Sequence, residues 1–339
     1  MDCKDTFPRL PEYLAAQAEV FRGPIALQPI GGGLSNPTFA MAVGGDPAQF
    51  VLRKQPAGPI LPSAHAVDRE YRVMSALAGT GVPVPKMLHY CADAGVIGTP
   101  FFLMEKVEGR VFHDNSLPEL SASERAAIYD DMNRVLALIH GVDIDRVGLG
   151  SFGRREHFFD RQLERWSRQH AQSRLGEDDA IDRLGAWLRS HQPRDEGPLS
   201  LIHGDYRLGN LMIHPTKPEV VAVLDWELSS LGAPLADLGY NLLAWVQRRD
   251  EHAGLAGLDL DALGIPQREV YAARYLERRG LKGPLDPFYI AFSLFRLAII
   301  FEGVVQRARQ AGHGTTDGIE RQSALSRIFA RHGLDIAGV

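Results

Sequence analysis

The stretch 201–227, LIHGDYRLGNLMIHPTKPEVVAVLDWE, governs the reading of the whole chain. Two runs in it are strand-like, LMIH at 211–214 and VVAVLD at 220–225, with PTKP at 215–218 as the turn between them. In an antiparallel hairpin the start of the first strand lies beside the end of the second. Asn210 and Asp225 therefore fall at one edge. Asp205 stands in the loop that enters this edge, so one amide oxygen and two carboxylates converge. Mg²⁺ takes such oxygen ligands and completes its shell with substrate phosphates. A carboxylate held off the metal can accept a proton from a hydroxyl. A polar turn feeding a hairpin would share this composition, so the meaning depends on the rest of the chain.

Toward the N-terminus, IALQPIGGGLSNPTFAMAV, 25–43, reads as two short strands around a glycine-rich turn. The backbone N–H groups of Gly31, Gly32, Gly33, Leu34 and Ser35 can cover phosphates with few side chains in the way. A plain hairpin turn would look the same. QFVLRKQP, 49–56, is a further strand, stopped by Pro56. Arg53 and Lys54 point to opposite faces of it, so only one of them can meet a nucleotide. SAHAVDREYRVMSALAG, 63–79, reads as a helix capped by Ser63 and ended by Gly79. Its apolar stripe is Val67, Tyr71, Met74 and Leu77 or Ala78. Glu70 borders the stripe, where it can hold the strand cation, although a surface Arg69–Glu70 pair is the plainer alternative. VIGTPFFLMEKVEG, 96–109, contains an apolar strand running into a glycine. From about 119 the pattern turns helical, with candidates at 122–141, 157–174, 179–191, 234–249, 267–280, 286–311 and 317–332.

A glycine turn, a strand cation, a helix glutamate, an apolar strand, then Asp, Asn and Asp is the order of a protein-kinase fold. HGDYRLGN, 203–210, resembles the HGDxxxxN motif of aminoglycoside phosphotransferases and related small-molecule kinases. LDWE, 224–227, is similar to their metal-binding segment, and ADLGYNL, 236–242, to the helix that follows. The resemblance spans about 20–330. It narrows further: GGGLSNPTF, FVLRKQP, LPSAHAVDREYRVMSAL, GVPVPK, FFLMEKVEGRVF and FDRQLERWSRQ are similar to the kinase-like domain fused to, or encoded beside, some acyl-CoA dehydrogenases. One departure is GAP at Gly232–Pro234, where the family often has GDP.

The resemblance implies an α+β, protein-kinase-like, two-lobed fold. A strand-rich N-lobe covers 1–107 and a mainly helical C-lobe covers 108–339. It implies phosphoryl transfer from ATP to the hydroxyl of a small molecule. Asp205 would accept or orient the hydroxyl, and Asn210 and Asp225 would hold Mg²⁺. Arg53, steadied by Glu70, would contact the phosphates under the turn Gly31–Ser35. Glu105, Lys106 and Val107 would bond the adenine through their backbone. His203 would buttress the loop, and Arg207 would face either the γ-phosphate or solvent. The dehydrogenase link implies a hydroxy acid or hydroxyacyl-CoA as acceptor and a functional partnership with an acyl-CoA dehydrogenase. Arg161, Arg165, Trp166 and Arg296 are candidates for an anionic acceptor, against a plain helix with Trp166 in the core. An aminoglycoside acceptor ranks second, because a polycation wants a carboxylate-rich pocket. A nucleotide-binding pseudokinase or scaffold is the reading in a different class. Its usual mark is loss of the base or a metal ligand, and Asp205, Asn210 and Asp225 are all present. A metal-dependent hydrolase on His203, Asp205 and His214 fails on setting, since His214 lies ~13 Å along the strand from Asn210.

The bulk numbers agree with such an enzyme. The 339 residues exceed the usual size of one domain and carry a net charge of −5. That charge argues against a nucleic-acid partner. Cys3 and Cys91 cannot form a disulfide framework, and the N-terminus shows no basic stretch followed by an apolar run, so a reduced, cytoplasmic setting is expected. The most apolar window, 288–305, contains Arg296 and Glu302 and reads as a buried helix rather than a membrane span.

Overall fold

A computed structural model describes residues 6–30, 36–58, 66–193, 197–311 and 315–339. The glycine turn Gly31–Ser35 and Ser63 lie outside them. The chain divides into two compact units: 1–110 with 147–149 and 212–229, and 111–146 with 150–211 and 230–339.

The first unit is built on a five-stranded antiparallel sheet: β1 (Ile25–Pro29), β2 (Thr38–Val43), β3 (Phe50–Lys54), β4 (Met87–Cys91) and β5 (Phe101–Glu105), in the order β1-β2-β3-β5-β4. Its two faces follow from the period of a strand. Phe50 and Leu52 of β3, with Phe101 and Leu103 of β5, join Leu10, Leu14 and Leu27 in one apolar cluster. The helix Leu10–Gln17 supplies Leu10 and Leu14 to that cluster. LPEYLAAQ is too short to stand alone in water, so packing on the sheet maintains it. This helix and β4 were not visible as elements in the sequence.

Val51 and Arg53 take the opposite face, where their partners across β5 are Met104 and Phe102. The helix Val67–Leu77 packs there, with Val67, Glu70, Val73, Met74 and Leu77 buried. Its buried face therefore includes Val73 and the acid Glu70, while Tyr71 is half-buried and Ala78 exposed. Tyr71 still meets Phe102, ring centroids 6.2 Å apart.

The boundary falls at Arg110 rather than 107, and the hairpin expected in the C-terminal part groups with the first unit. Hydrogen bonds give the reason. Arg110 N–H donates to the Ile213 carbonyl at 2.7 Å, Ile213 N–H returns the bond at 2.8 Å, and Val223 N–H donates to the Pro83 carbonyl at 2.8 Å. Gly109 is the residue that lets this happen. A Cβ there would lie 2.7 Å from the Ile213 carbonyl oxygen.

The second unit is mainly helical: Ala122–His140, Phe158–Ser173, Ala180–Ser190, Pro234–Asn241, Arg268–Arg278, Pro287–Ala311 and Thr316–Ala337. The helix Pro287–Ala311 is long and apolar enough to cross a membrane, but 78% of its most apolar window is buried inside the protein. Neighbouring helices take up that surface, and at Gly239 the approach is so close that a Cβ would lie 2.3 Å from the Tyr289 carbonyl oxygen. The single helix expected over 234–249 is broken. Gln247 is extended and buried, and a new turn starts at Arg248, whose N–H bonds Glu251 at 2.8 Å. At the GAP departure, Ala233 takes the N-cap position without a side-chain acceptor and Pro234 starts the helix. Two short strands, Ser200–Ile202 and Ser230–Gly232, pair antiparallel and bring the segment from His203 onward beside the helix Pro234–Asn241.

Candidate active site

The loop 203–210 is held by its backbone. Asp237, on the helix Pro234–Asn241, accepts the N–H of His203 at 2.6 Å on Oδ2 and that of Gly204 at 2.8 Å on Oδ1. Burial pushes the Asp237 carboxyl up, but the hydrogen bond from His140, the His140 and His203 imidazoles and the backbone N–H outweigh it and hold it below the ordinary range. An ionised carboxylate buried at a loop entrance is a rigid two-pronged acceptor. His203 is wholly buried and accepts the Asp205 N–H at 3.2 Å on Nδ1. Its ring braces the loop from within. Tyr206 anchors the next residue, its hydroxyl donating to the Met132 carbonyl at 2.8 Å.

This leaves the Asp205 carboxylate partly exposed at the tip. Oδ1 accepts the Tyr240 hydroxyl, and Oδ2 accepts Asn210 Nδ2 at 2.8 Å. Asn210 Nδ2 also donates to the Asp205 carbonyl at 2.8 Å. With the amide nitrogen so engaged, Asn210 Oδ1 is the atom it can offer a cation. Arg207 Nε stands 3.5 Å from Asp205 Oδ2, with its side chain nearly half exposed. Burial, then the charge of Asp205, pushes the Tyr240 phenol far above its ordinary value, so it remains a donor.

A cavity of about 370 Å³ shares Arg207 and Tyr240 with this cluster. Its wall also carries His113, Arg249, His252 and Arg321. Burial, reinforced by Arg207, holds the His252 imidazole below its ordinary value. Arg161, Arg165, Trp166 and Arg296 do not line this cavity, whereas Arg207 does. Arg296 lies behind it, its guanidinium 5.1 Å from the Tyr240 ring centroid and hydrogen-bonded to the Gly204 carbonyl. Trp166 is buried, with Arg165 and Arg296 at 5.3 and 5.9 Å from its ring, and Arg161 bonds the Arg154 carbonyl. Arg161, Arg165 and Trp166 thus do not face the cavity beside Asp205. The helix puts Trp166 in the core, and its arginines are spent on the ring and on backbone.

The first unit has its own cavity, about 380 Å³, lined by Val51, Phe102 and Met104 of the sheet, by Met212 and Leu224, and by Glu105, Lys106 and Val107. Arg53, Glu70 and Asp225 close one part of it. Arg53 Nε lies 2.9 Å from Glu70, Nη1 3.3 Å from the Thr38 hydroxyl, and Nη2 3.0 Å from Asp225 Oδ1. Lys54 faces away, with its ammonium 5.9 Å from the Phe7 ring centroid and bonded to the Gln55 carbonyl. Of the two residues, Arg53 lines this cavity and Lys54 does not.

Glu70 is buried, and its other oxygen accepts Asn36 Nδ2 at 2.6 Å. Burial pushes its carboxyl up to about 7, against the opposing pull of Arg53. Asp225 has a left-handed backbone, φ +64° and ψ +61°, a conformation costly for a residue with a Cβ and typical of functional positions. Oδ1 meets Arg53, which leaves the second carboxylate oxygen for a hard cation. No cluster of three or more His, Cys, Asp or Glu side chains placed to hold a metal occurs among the described residues. Mg²⁺ on a polyphosphate needs only one or two protein oxygens, so the donor set fits it. In the segment 105–107, Glu105 and Lys106 give their N–H groups to the Lys86 and Gln49 carbonyls. The Val107 N–H is the donor left for a base.

Four residues of these clusters carried a signal that the sequence reading passed over. Asn36 and Thr38 close the glycine-rich turn. Asp237 and Tyr240 sit at i,i+3 in ADLGYNL, which puts them on one helix face. His113, Arg249, His252 and Arg321 come from distant positions with no motif between them.

The profile of the phosphotransferase enzyme family matches residues 26–282, most of the chain. The chain belongs to that family. Within it, the chain is 43% identical over 319 residues to acyl-CoA dehydrogenase family member 10 of Mus musculus, covering 93% of this chain but 29% of the mouse protein. Among solved structures it matches a protein of Ralstonia eutropha JMP134, described as a candidate aminoglycoside phosphotransferase, with 43% identity, TM-score 0.88 and 98% of each chain covered. The fold is shared more widely. The GDP complex of aminoglycoside 2'-phosphotransferase-IIIa aligns at TM-score 0.64 with 14% identity, over 95% of this chain and 98% of that one. The phosphotransferase is therefore a small-molecule kinase of protein-kinase-like α+β fold, allied to the kinase-like domain of acyl-CoA dehydrogenase family members.

Proposed function

We propose that this phosphotransferase uses ATP and Mg²⁺ to phosphorylate the hydroxyl of an anionic small molecule, a hydroxy acid or a hydroxyacyl-CoA. The observation that carries the proposal is the wall of the cavity beside Tyr240 and Arg207. It presents three guanidiniums, Arg207, Arg249 and Arg321, of which Arg207 stands 3.5 Å from Asp205 and Arg249 2.8 Å from Asp114, while Arg321 donates to the Asp250 carbonyl and joins no ion pair among the described residues. An anion is drawn into such a cavity, and a polycationic aminoglycoside is repelled. Asp205 takes or orients the hydroxyl proton as the new oxygen–phosphorus bond forms and the bond from the γ-phosphorus to ADP breaks.

The apolar wall of Val51, Phe102 and Met104 suits a base, with Val107 N–H as its donor, and Arg53 suits the phosphates. Mg²⁺, when bound, would offset phosphate charge, with Asp225 and Asn210 as the ligands the motif suggests. The name of the mouse relative, which this chain spans for less than a third of its length, supports a functional partnership with an acyl-CoA dehydrogenase. The test is coupled ATP turnover with Mg²⁺ against 3- and 4-hydroxy acids, their CoA thioesters and aminoglycosides. Turnover on a hydroxyacyl compound, reduced roughly 10²- to 10⁴-fold in Asp205→Ala, is the expected result. Turnover on aminoglycosides alone would falsify the acceptor assignment, and nucleotide binding with no transfer would favour the scaffold reading.

A further inference from the structure

We propose that Tyr240 is a positioning residue for phosphoryl transfer: its phenol holds the Asp205 carboxylate in the plane that receives the acceptor hydroxyl. The inference rests on the reading of Asp205 as the group that meets that hydroxyl.

A carboxylate on a short side chain is free to swivel, because its terminal torsion is broad. Here both oxygens are tied. Oδ1 accepts the Tyr240 hydroxyl and Oδ2 accepts Asn210 Nδ2 at 2.8 Å. Removal of either tie frees the plane, and the two ties come from different elements. Asn210 reaches back within the loop, while Tyr240 reaches across from the helix Pro234–Asn241. Each carboxylate oxygen can accept two bonds, so a lone pair remains on Oδ1 for the acceptor hydroxyl after the phenol has bonded.

Tyr240 is itself fixed. The Arg296 guanidinium stands 5.1 Å from its ring centroid and 5.9 Å from that of Trp166. The same guanidinium bonds the Gly204 carbonyl, one residue before Asp205. Trp166, Arg296 and Tyr240 thus form a connected series of contacts that ends on the Asp205 carboxylate. The ring of Tyr240 also lines the cavity assigned to the acceptor, so its position fixes the carboxylate relative to the cavity wall. A phenylalanine would fill the same space and keep the ring's approach to Arg296. Only the hydrogen bond to Oδ1 requires tyrosine.

The test compares wild type, Tyr240→Phe, Asp205→Ala and the double variant, with Mg·ATP and with 3- and 4-hydroxybutyryl-CoA or water as acceptors. Tyr240→Phe is expected to keep the melting temperature and the KM for ATP and to lose roughly 10- to 100-fold in kcat, the scale of a misaligned catalytic group. In the Asp205→Ala background the same substitution costs nothing more, because the phenol has no carboxylate to hold. Wild-type kcat in Tyr240→Phe, loss of its cooperative melt, or an equal further loss in the Asp205→Ala background overturns the proposal and leaves the kinase reading standing. A wild-type protein that transfers phosphate to none of these acceptors overturns both.

Discussion

Arg53 and Asp225 form an ion pair, with Nη2 3.0 Å from Oδ1, although 171 residues separate them along the chain. The same guanidinium holds Glu70, so one side chain joins strand, helix and hairpin within the first unit. A lysine has a single point of attachment and cannot hold both carboxylates in one plane. Arg53→Lys is therefore expected to weaken Mg·ATP binding roughly 10-fold or more, the scale of one lost charged hydrogen bond. Lys54→Ala, on the other face of the strand, leaves that affinity near wild type. Nucleotide titration by calorimetry distinguishes the two.

Glu70 gives the nucleotide-free protein a pH dependence of a defined sign. Its carboxyl is pushed from 4.5 up to about 7 by burial, so the folded protein binds this proton more tightly than the unfolded chain. The resulting stabilisation is fully present below about pH 4.5 and is lost as pH rises through about 7. It amounts to something on the order of 3 kcal/mol at most. Melting temperatures taken from pH 5 to 8 should fall faster in wild type than in Glu70→Gln. Parallel curves would show that Arg53 keeps Glu70 charged throughout.

Asp237 acts in the opposite sense. Its lowered carboxyl contributes stability that is present above the ordinary carboxylate value, 3.8, and is lost as pH falls through the lower folded value. Asn in its place offers one acceptor oxygen to two N–H donors, so Asp237→Asn should cost about 2–4 kcal/mol by leaving a buried donor unpaired. Chemical denaturation measures this. Unchanged stability would mean that the loop 203–210 is held by other bonds.

The guanidiniums of the second cavity predict a split between the two kinetic constants. Arg249→Ala and Arg321→Ala should raise KM for the acceptor several-fold with little change in kcat, because both interactions are made equally in the ground and transition states. Added salt should raise wild-type KM in the same direction, since exposed charges are screened within about 8–10 Å. A fall in kcat with constant KM in these variants would place the acceptor elsewhere.

Much of this was legible before any coordinates. Motifs with fixed spacing, such as Asp205 to Asn210, encode local geometry, and local geometry survives folding. The alternation of β3 likewise showed that Arg53 and Lys54 part company, though not which of them faces the cavity. That choice depends on which sheet face the helix Leu10–Gln17 covers, and LPEYLAAQ carries too few turns to announce itself. The helix that carries Arg161, Arg165 and Trp166 turns them away from the cavity beside Asp205 for a related reason. FDRQLERW has the composition of an anion site, but helical periodicity turns Trp166 inward and spends its arginines on the ring and on backbone. The arginines that do line the cavity, Arg249 and Arg321, lie 72 residues apart with no shared motif. Only tertiary packing brings them together.

The hairpin 212–229 carries one more consequence. It belongs to the first unit, yet about a hundred residues, most of them of the second unit, separate it in the chain from the rest of the first. During synthesis the N-terminal sheet emerges and must wait for that intervening chain before Met212, Leu224 and Asp225 arrive to finish its cavity. The ribosome therefore delivers a sheet with an open wall, and the Gly109–Arg110 strand end has no partner until Ile213 appears. A piece cut at residue 110 would reproduce that nascent state permanently. The two units are distinct as bodies but are inseparable as pieces of chain, and the cavity of the first unit is complete only after residue 225 has been made.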